Sequence, residues 1–336
     1  MRFSGGNEGL SVVCGMTVNQ VLWFFITYAF LGWVVEVAFY AVSEGRVVNR
    51  GFLNGPICPV YGWGVIVVLA VLHIAGGIFG IDTDIGTANV IVLFFIGMVF
   101  ATLTELIAGF LLDRLFHARW WDYGNRKFNL HGYICLEFSI AWGLVIAFVL
   151  RVVHPEVENI VNSIPVRLSS VWLAIIYIGF GTDTVITVLT ILKFNKELER
   201  MQRMQNAILR FSDGMSEVIG NGTIMAVDKI RAELGKAAVK KDKIKETFGI
   251  KKEEIKGTIE GKKEELQARR AELVEKLEQM KAELRSHPVF GTGRILRVFP
   301  DMKHRLYQQV LDTMRQEENR TDQAEETKMI VSEKPK

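Results

Sequence analysis

Apolar residues dominate five long stretches of this chain, at about 18 to 42, 57 to 80, 89 to 112, 134 to 153 and 168 to 192. A helix needs about 20 residues to cross the hydrocarbon core of a bilayer, and each stretch reaches that length. In lipid every backbone polar group must be bonded within its own segment, so the pattern predicts an all-α membrane domain of five spans over 18 to 192. The first stretch is too long for a signal-peptide core and is expected to remain in the mature chain, preceded by a short extracytoplasmic N-terminus, 1 to 17. Gly76 and Gly80, at a GxxxG spacing, read as helix-packing contacts rather than breaks.

Beyond 192 the pattern changes. Apolar positions such as Val227, Ile230, Leu234, Ile244 and Phe248, then Ile255, Ile259, Leu266, Leu273, Leu277, Met280 and Leu284, recur in steps of three and four. Such steps predict a charged, mostly helical cytoplasmic region over 193 to 318, with coiled-coil-like segments across 224 to 285. Gly249 is expected to divide it into two helices, because glycine weakens a helix interior. GTGRILRVFP, 291 to 300, reads as a turn with a short apolar anchor, 301 to 318 as a last amphipathic helix, and 319 to 336 as a disordered tail.

Charge separates the two parts. Residues 1 to 192 hold 9 Lys and Arg against 12 Asp and Glu and all 7 Trp, while the remainder holds 31 against 25 and no Trp. Lys and Arg gather in the connections 43 to 56 and 113 to 133 and at the start of the tail, whereas 81 to 88 carries only Asp82 and Asp84. The positive-inside rule then places the N-terminus outside and the C-terminus in the cytoplasm. Arg151 and Arg167 run against this assignment, offset in part by Glu156 and Glu158. Trp120, Trp121 and Tyr123 fit an aromatic belt at the cytoplasmic interface.

Four acids fall inside the spans: Glu36, Glu105, Glu137 and Asp183. A charge at membrane depth costs about 2.5 to 3.5 kcal/mol, so each needs a reason. Counted along the helices, all four lie between about 5 and 13 Å from the cytoplasmic ends of their spans, at one level of the inner leaflet. NRGFLNGPICPVYGWG, 49 to 64, can also be laid over NRKFNLHGYICLEFSIAWG, 125 to 143, each preceded by an acid in the span before it. This suggests an internal parallel repeat, about 30 to 80 and 98 to 153, with the fifth span outside the pairing. Each copy would supply a carboxylate, an arginine and an amide: Glu36, Asn49, Arg50 and Asn54 in one, and Glu105, Asn125, Arg126 and Glu137 in the other. Arg can meet a carboxylate with two parallel hydrogen bonds, so the acids and arginines are expected either to satisfy one another or to line a polar pocket with Asp183.

Other chemistry is sparse. Cys14, Cys58 and Cys135 have no metal or disulfide spacing, His73 reads as a packed histidine, and His117 and His131 lack partners at ligand spacing. Neither a phosphate-binding GxxxxGK[ST] loop nor a nucleophile elbow occurs. The Lys-rich segment 236 to 263 is interleaved with Glu and lacks a basic aromatic face, which argues against nucleic acid. No metal, cofactor or catalytic residue is expected.

FLGWVVEV (30 to 37), NRGFLNGPICPVYGWG, WWDY (120 to 123) and FNLHGYICLEFSIAWG (128 to 143) together resemble the bacterial family of ABC-transporter permeases of type IV, over about residues 20 to 190. The resemblance implies a multi-pass inner-membrane protein that works with separate ATPase subunits, and the tail, including RILRVFP, looks like a variable extension. The expected function is therefore a permease-like subunit in the lipid bilayer, not an enzyme, whose tail recruits a helical partner or self-associates through 224 to 285. The rival reading is a non-transporting anchor that presents its helical region as a scaffold. An enzyme acting on lipid head groups is a third, without an activated nucleophile to support it.

Overall fold

The computed structural model describes residues 12–45, 47–79, 88–236, 241–285 and 291–317, and most side chains of 212–259 are outside this set. Gly80, the connection with Asp82 and Asp84, the terminal stretch 319 to 336 and the side chains of most coiled-coil positions from 224 to 256 therefore lie outside the described residues.

A short hairpin, β1 (Val12–Val13) and β2 (Met16–Thr17), leads into α1 (Val18–Glu44). Thr17 caps α1 by a reciprocal capping box with Gln20, which satisfies amides that a helix start leaves without intrahelical partners. Then come α2 (Pro59–Phe79) and α3 (Val90–Phe116), whose cap His117 adopts a left-handed φ of 55°. Two-residue strands β3 (Ala118–Arg119), β4 (Asn129–Leu130) and β5 (Ile134–Cys135) shape the next connection, with β4 and β5 forming a hairpin. The fourth apolar stretch is α4 (Leu136–Phe148), a π-helical turn over Val149–Val153, and α5 (His154–Ser163). The remainder is α6 (Val166–Lys236), α7 (Lys241–Arg285), α8 (Thr292–Val298) and β6 (Lys303–His304), which pairs with β3.

Five helical stretches are long and apolar enough to span a membrane: Val18–Ser43, Pro59–Ile78, Val90–Phe116, Leu136–Ser163 and Val166–Phe211. The fold is thus the expected all-α bundle with a mostly helical tail. Large side chains such as Phe39, Ile107, Phe110, Ile178 and Leu189 are exposed on it, as lipid-facing positions of a bundle are. Inside, Phe24, Val68, Leu72, Leu93 and Leu150 form the core. Close approach is bought with glycine: a Cβ at Gly62 would meet the Phe25 carbonyl oxygen at 2.6 Å, and one at Gly143 would meet the Phe94 ring at 2.7 Å.

Two details depart from the sequence expectation. The helix α7 runs through Gly249 without a break, and α6 continues from the fifth span to Lys236. A single glycine costs only about 1 kcal/mol in a helix interior, too little to end a helix of this length. His73 is exposed rather than packed, its ring lying where a Cβ on Gly15 of the β1–β2 turn would sit.

The chain divides into two compact units, Met1–Lys193 with His287–Gln308, and Phe194–Ser286 with Gln309–Lys336. The segment 287 to 308, expected within the tail, thus belongs with the membrane helices. In the second unit Phe194, Leu198, Met201, Leu277, Leu284, Leu311 and Met314 are buried. Lys281 is buried among them and bridges Glu278 at 2.8 Å and Glu317 at 2.7 Å. On the surface Glu272 and Lys276 make the i,i+4 pair that their spacing favours.

Candidate functional site

The two acids at matched places in the first and third spans are held in the same manner. At 1.5 Å per residue Glu36 sits about 12 Å from the end of α1 and Glu105 about 16 Å from the end of α3. Glu36 accepts a hydrogen bond from the Tyr61 hydroxyl at 2.6 Å. Glu105, 6 % exposed, accepts from Trp142 Nε1 at 2.9 Å and from the Tyr123 hydroxyl at 3.1 Å. Tyr61 and Trp142 then meet edge to face, so the two acid shells touch. Among the described residues no basic side chain pairs with either acid, so the first of the two expectations, mutual pairing with Arg50 and Arg126, is not what the structure shows. The donors are neutral and aromatic, which lets each ring fill apolar space while its polar edge meets the carboxylate.

Counting from Cys58 and Cys135, the partner of Tyr61 is Phe138, which has no hydroxyl. Tyr123 stacks on that ring at 4.7 Å and brings the missing hydroxyl to Glu105. Trp142, one helical turn further on, supplies the second donor. Gly62 follows Tyr61 and packs on Phe25, and Gly143 follows Trp142 and packs on Phe94. The geometry therefore aligns Tyr61-Gly62 with Trp142-Gly143, two residues away from the Trp-Gly alignment read in the sequence.

Asp183 on α6 anchors the loop before α2. Its carboxylate accepts from the Gly55 amide at 2.7 Å, the Asn54 amide at 3.2 Å and Asn54 Nδ2 at 2.9 Å. Asn54 also donates to the buried Thr187 hydroxyl at 3.0 Å. Asn49 closes the same loop from within, accepting from Trp33 Nε1 and the Gly51 amide and donating to the Asn54 carbonyl at 2.6 Å. Arg50 turns away from the acids: its guanidinium donates to the Val298 carbonyl at 3.0 Å and covers the Tyr40 ring at 4.5 Å. The loop's buried Cys58 has its thiol pushed up to about 12 by burial, with Glu36 adding to the effect.

The second loop is organised around different residues from those expected. Asn125 is exposed, and Arg126 pairs at 3.2 Å with Glu137 on the surface, with side chains 55 % and 63 % exposed. Neither joins Glu105. Asn129 does the shaping, donating to the Arg126 carbonyl at 2.8 Å and accepting from the Gly132 amide at 3.0 Å. Arg119 meets Asp113 at 3.0 Å and stacks on Tyr133, whose hydroxyl donates to Asp113 at 2.6 Å. Burial works to raise the Asp122 carboxyl, but the Lys303 bond and the Gly124 amide hold it below its ordinary value. The expected aromatic belt is turned inward: Trp120 is buried against Phe52, Phe116 and Phe299, and Trp121 donates to the Tyr133 carbonyl.

Arg294, in the segment read only as an anchor, is 5 % exposed and donates to the Gly51 and Phe52 carbonyls at 3.0 and 2.9 Å. Burial lowers its pKa and Asp183 partly offsets that effect. Its only signal in the sequence is a basic residue at the head of the apolar run RILRVFP.

Five apolar helices of span length, tied together by polar loops, define a multi-pass membrane protein. Residues 23–188 match the family described as putative ABC-transporter type IV, and this membrane region belongs to that family. No curated protein and no solved structure matches the chain.

Proposed function

We propose that this protein is the permease-like membrane subunit of a transporter, with a polar centre near the cytoplasmic ends of its first and third spans. The observation that carries the reading is the pair Glu36 and Glu105, two carboxylates in adjoining shells bonded only to neutral donors. Ionisable side chains at membrane depth are expensive and are kept where an ion, a proton or a polar head group passes. Carboxylates with no basic partner among the described residues suit a proton or a small cation, since that is the charge they lack. Asp183 serves the architecture instead, because its hydrogen bonds go to the loop that it holds and to Thr187 on its own helix. The role is binding and passage rather than covalent chemistry. The protein sits in a bacterial inner membrane with its N-terminus outside and its helical tail in the cytoplasm, beside a separate ATPase.

Purification with native lipids tests the partnership, and reconstitution into vesicles tests the passage. The reading predicts a co-purifying ATPase and substrate or ion flux that Glu36→Gln and Glu105→Gln abolish. A chain that is always alone, indifferent to both substitutions and disabled only by loss of its tail, would be a scaffold.

A further inference from the structure

Two loops present the site residues to the membrane, 49–58 before α2 and 117–135 before α4. Both are gripped by one later piece of chain. Arg294 donates to the Gly51 and Phe52 carbonyls, and Arg50 returns a bond to the Val298 carbonyl. Seven residues after Val298, the Arg305 amide donates to the His117 carbonyl at 2.8 Å. Next to it β6 pairs with β3, placing His304 opposite Ala118 and Lys303 opposite Arg119. Lys303 Nζ also reaches Asp122 at 2.7 Å. Between the two grips the rings meet: Trp120 of the second loop touches Phe52 of the first at 5.2 Å and Phe299 at 6.3 Å. Ile295, Val298 and Met302 are buried along the way.

We propose that residues 291–305 are a strap that holds both interfacial loops in one joint conformation, so that its release frees the two together. The reason lies in peptide polarity. The first loop offers carbonyls to the Arg294 cation and, two residues on, amides to the Asp183 anion, so it is clamped from both ends of its dipole. The second loop carries the Tyr123 hydroxyl to Glu105. A displaced strap therefore loosens the Asp183 clamp and the Glu105 shell in a single event. The strap lies beyond the family-matched residues. The inference does not depend on what, if anything, the domain transports.

Each loop contains a buried cysteine, Cys58 in the first and Cys135 in the second, so the chain has its own reporters. Maleimide labelling of the full chain in lipid nanodiscs, with Cys14 and one other cysteine replaced by Ser, reads each loop in turn. Arg294→Ala, which touches only the first loop, should speed labelling of Cys58 and of Cys135 alike, by about tenfold. Asp122→Ala, which touches only the second, should do the same, and Arg294→Lys should restore slow labelling of both. Substitutions that expose only the cysteine of the loop they touch, or neither, overturn the strap. Hydrogen exchange on the unsubstituted chain checks this without any variant: one shared opening rate for the two loops agrees, and two unrelated rates refute it.

Discussion

Tyr61 and Trp142 meet edge to face with ring centroids 5.3 Å apart, each donating to the carboxylate of its own half of the domain. The contact turns two separate polar burials into one unit. Moving either ring changes the surroundings of both acids, which is the behaviour a shared binding centre needs.

Tyr61→Phe removes the hydroxyl bonded to Glu36 and keeps the ring against Trp142. A hydrogen bond to a charged group is worth about 1.5 to 3 kcal/mol, so a loss of that order is expected. Adding Glu36→Gln should recover part of it, because the orphaned charge is then gone. Thermal unfolding of the four chains of this cycle in detergent measures the coupling. Strict additivity would mean that the bond contributes nothing.

Gly32→Ala should harm the same shell from behind, since a Cβ there overlaps the Tyr61 ring. Gly62→Ala is expected to be worse, because its Cβ meets the Phe25 backbone oxygen at 2.6 Å, which cannot rotate aside. Overpacking of this kind typically costs about 1 to 3 kcal/mol. The order of melting temperatures, wild type above Gly32→Ala above Gly62→Ala, is the check.

Asp183→Asn keeps the shape of the anchor but can turn an NH2 toward the amides of Asn54 and Gly55. The expected outcome is a loosened first loop with the helices intact, seen as faster exchange of the amides of 54 and 55 at unchanged circular dichroism. Unchanged exchange would show that Arg294 and Asn49 suffice to hold the turn.

The helices were legible because their periodicity and length leave few alternatives, and Glu36 and Glu105 stood out because charge in an apolar run is costly. Their partners did not stand out. Tyr61 and Trp142 entered only as letters of the repeat and Tyr123 as belt, since a ring's polar edge leaves no trace in hydropathy. Arg50 and Arg126 were matched to the acids by charge alone, yet a guanidinium at an interface finds carbonyls and surface carboxylates at less desolvation cost. Arg294 was hidden by distance along the chain. The two-residue shift of the Trp-Gly match arises because a helix repeats by turns, so an added turn keeps the face while displacing the letters.

Arg126→Gln and Glu137→Gln give the contrasting case. Both side chains are more than half exposed, and exposed ion pairs contribute about 0 to 1 kcal/mol. Either change should leave unfolding and any measured flux within error of wild type. A large loss from Arg126→Gln alone would show that this arginine serves something other than Glu137.

The pH dependence of the strap follows from His304, which is 1 % exposed. Its Nδ1 accepts from the Leu306 and Tyr307 amides at 3.2 and 3.1 Å, and its ring stacks on Tyr307. That role requires the neutral ring. Burial, reinforced by His117 and opposed by Asp113, pushes its pKa from 6.5 down to about 4. Because the folded value is the lower one, the unfolded chain binds the extra proton between these limits. The contribution of His304 to stability is therefore complete above about 6.5 and is lost as pH falls toward about 4. Labelling of Cys135 should accelerate over that window in the native chain. In His304→Asn, whose side-chain oxygen can accept the same amides but does not titrate, the rate should be higher at neutral pH and much flatter below it. Other carboxylates titrate at the lower end, so the difference between the two chains carries the assignment. Equal slopes in both would remove His304 from any part in holding the second loop.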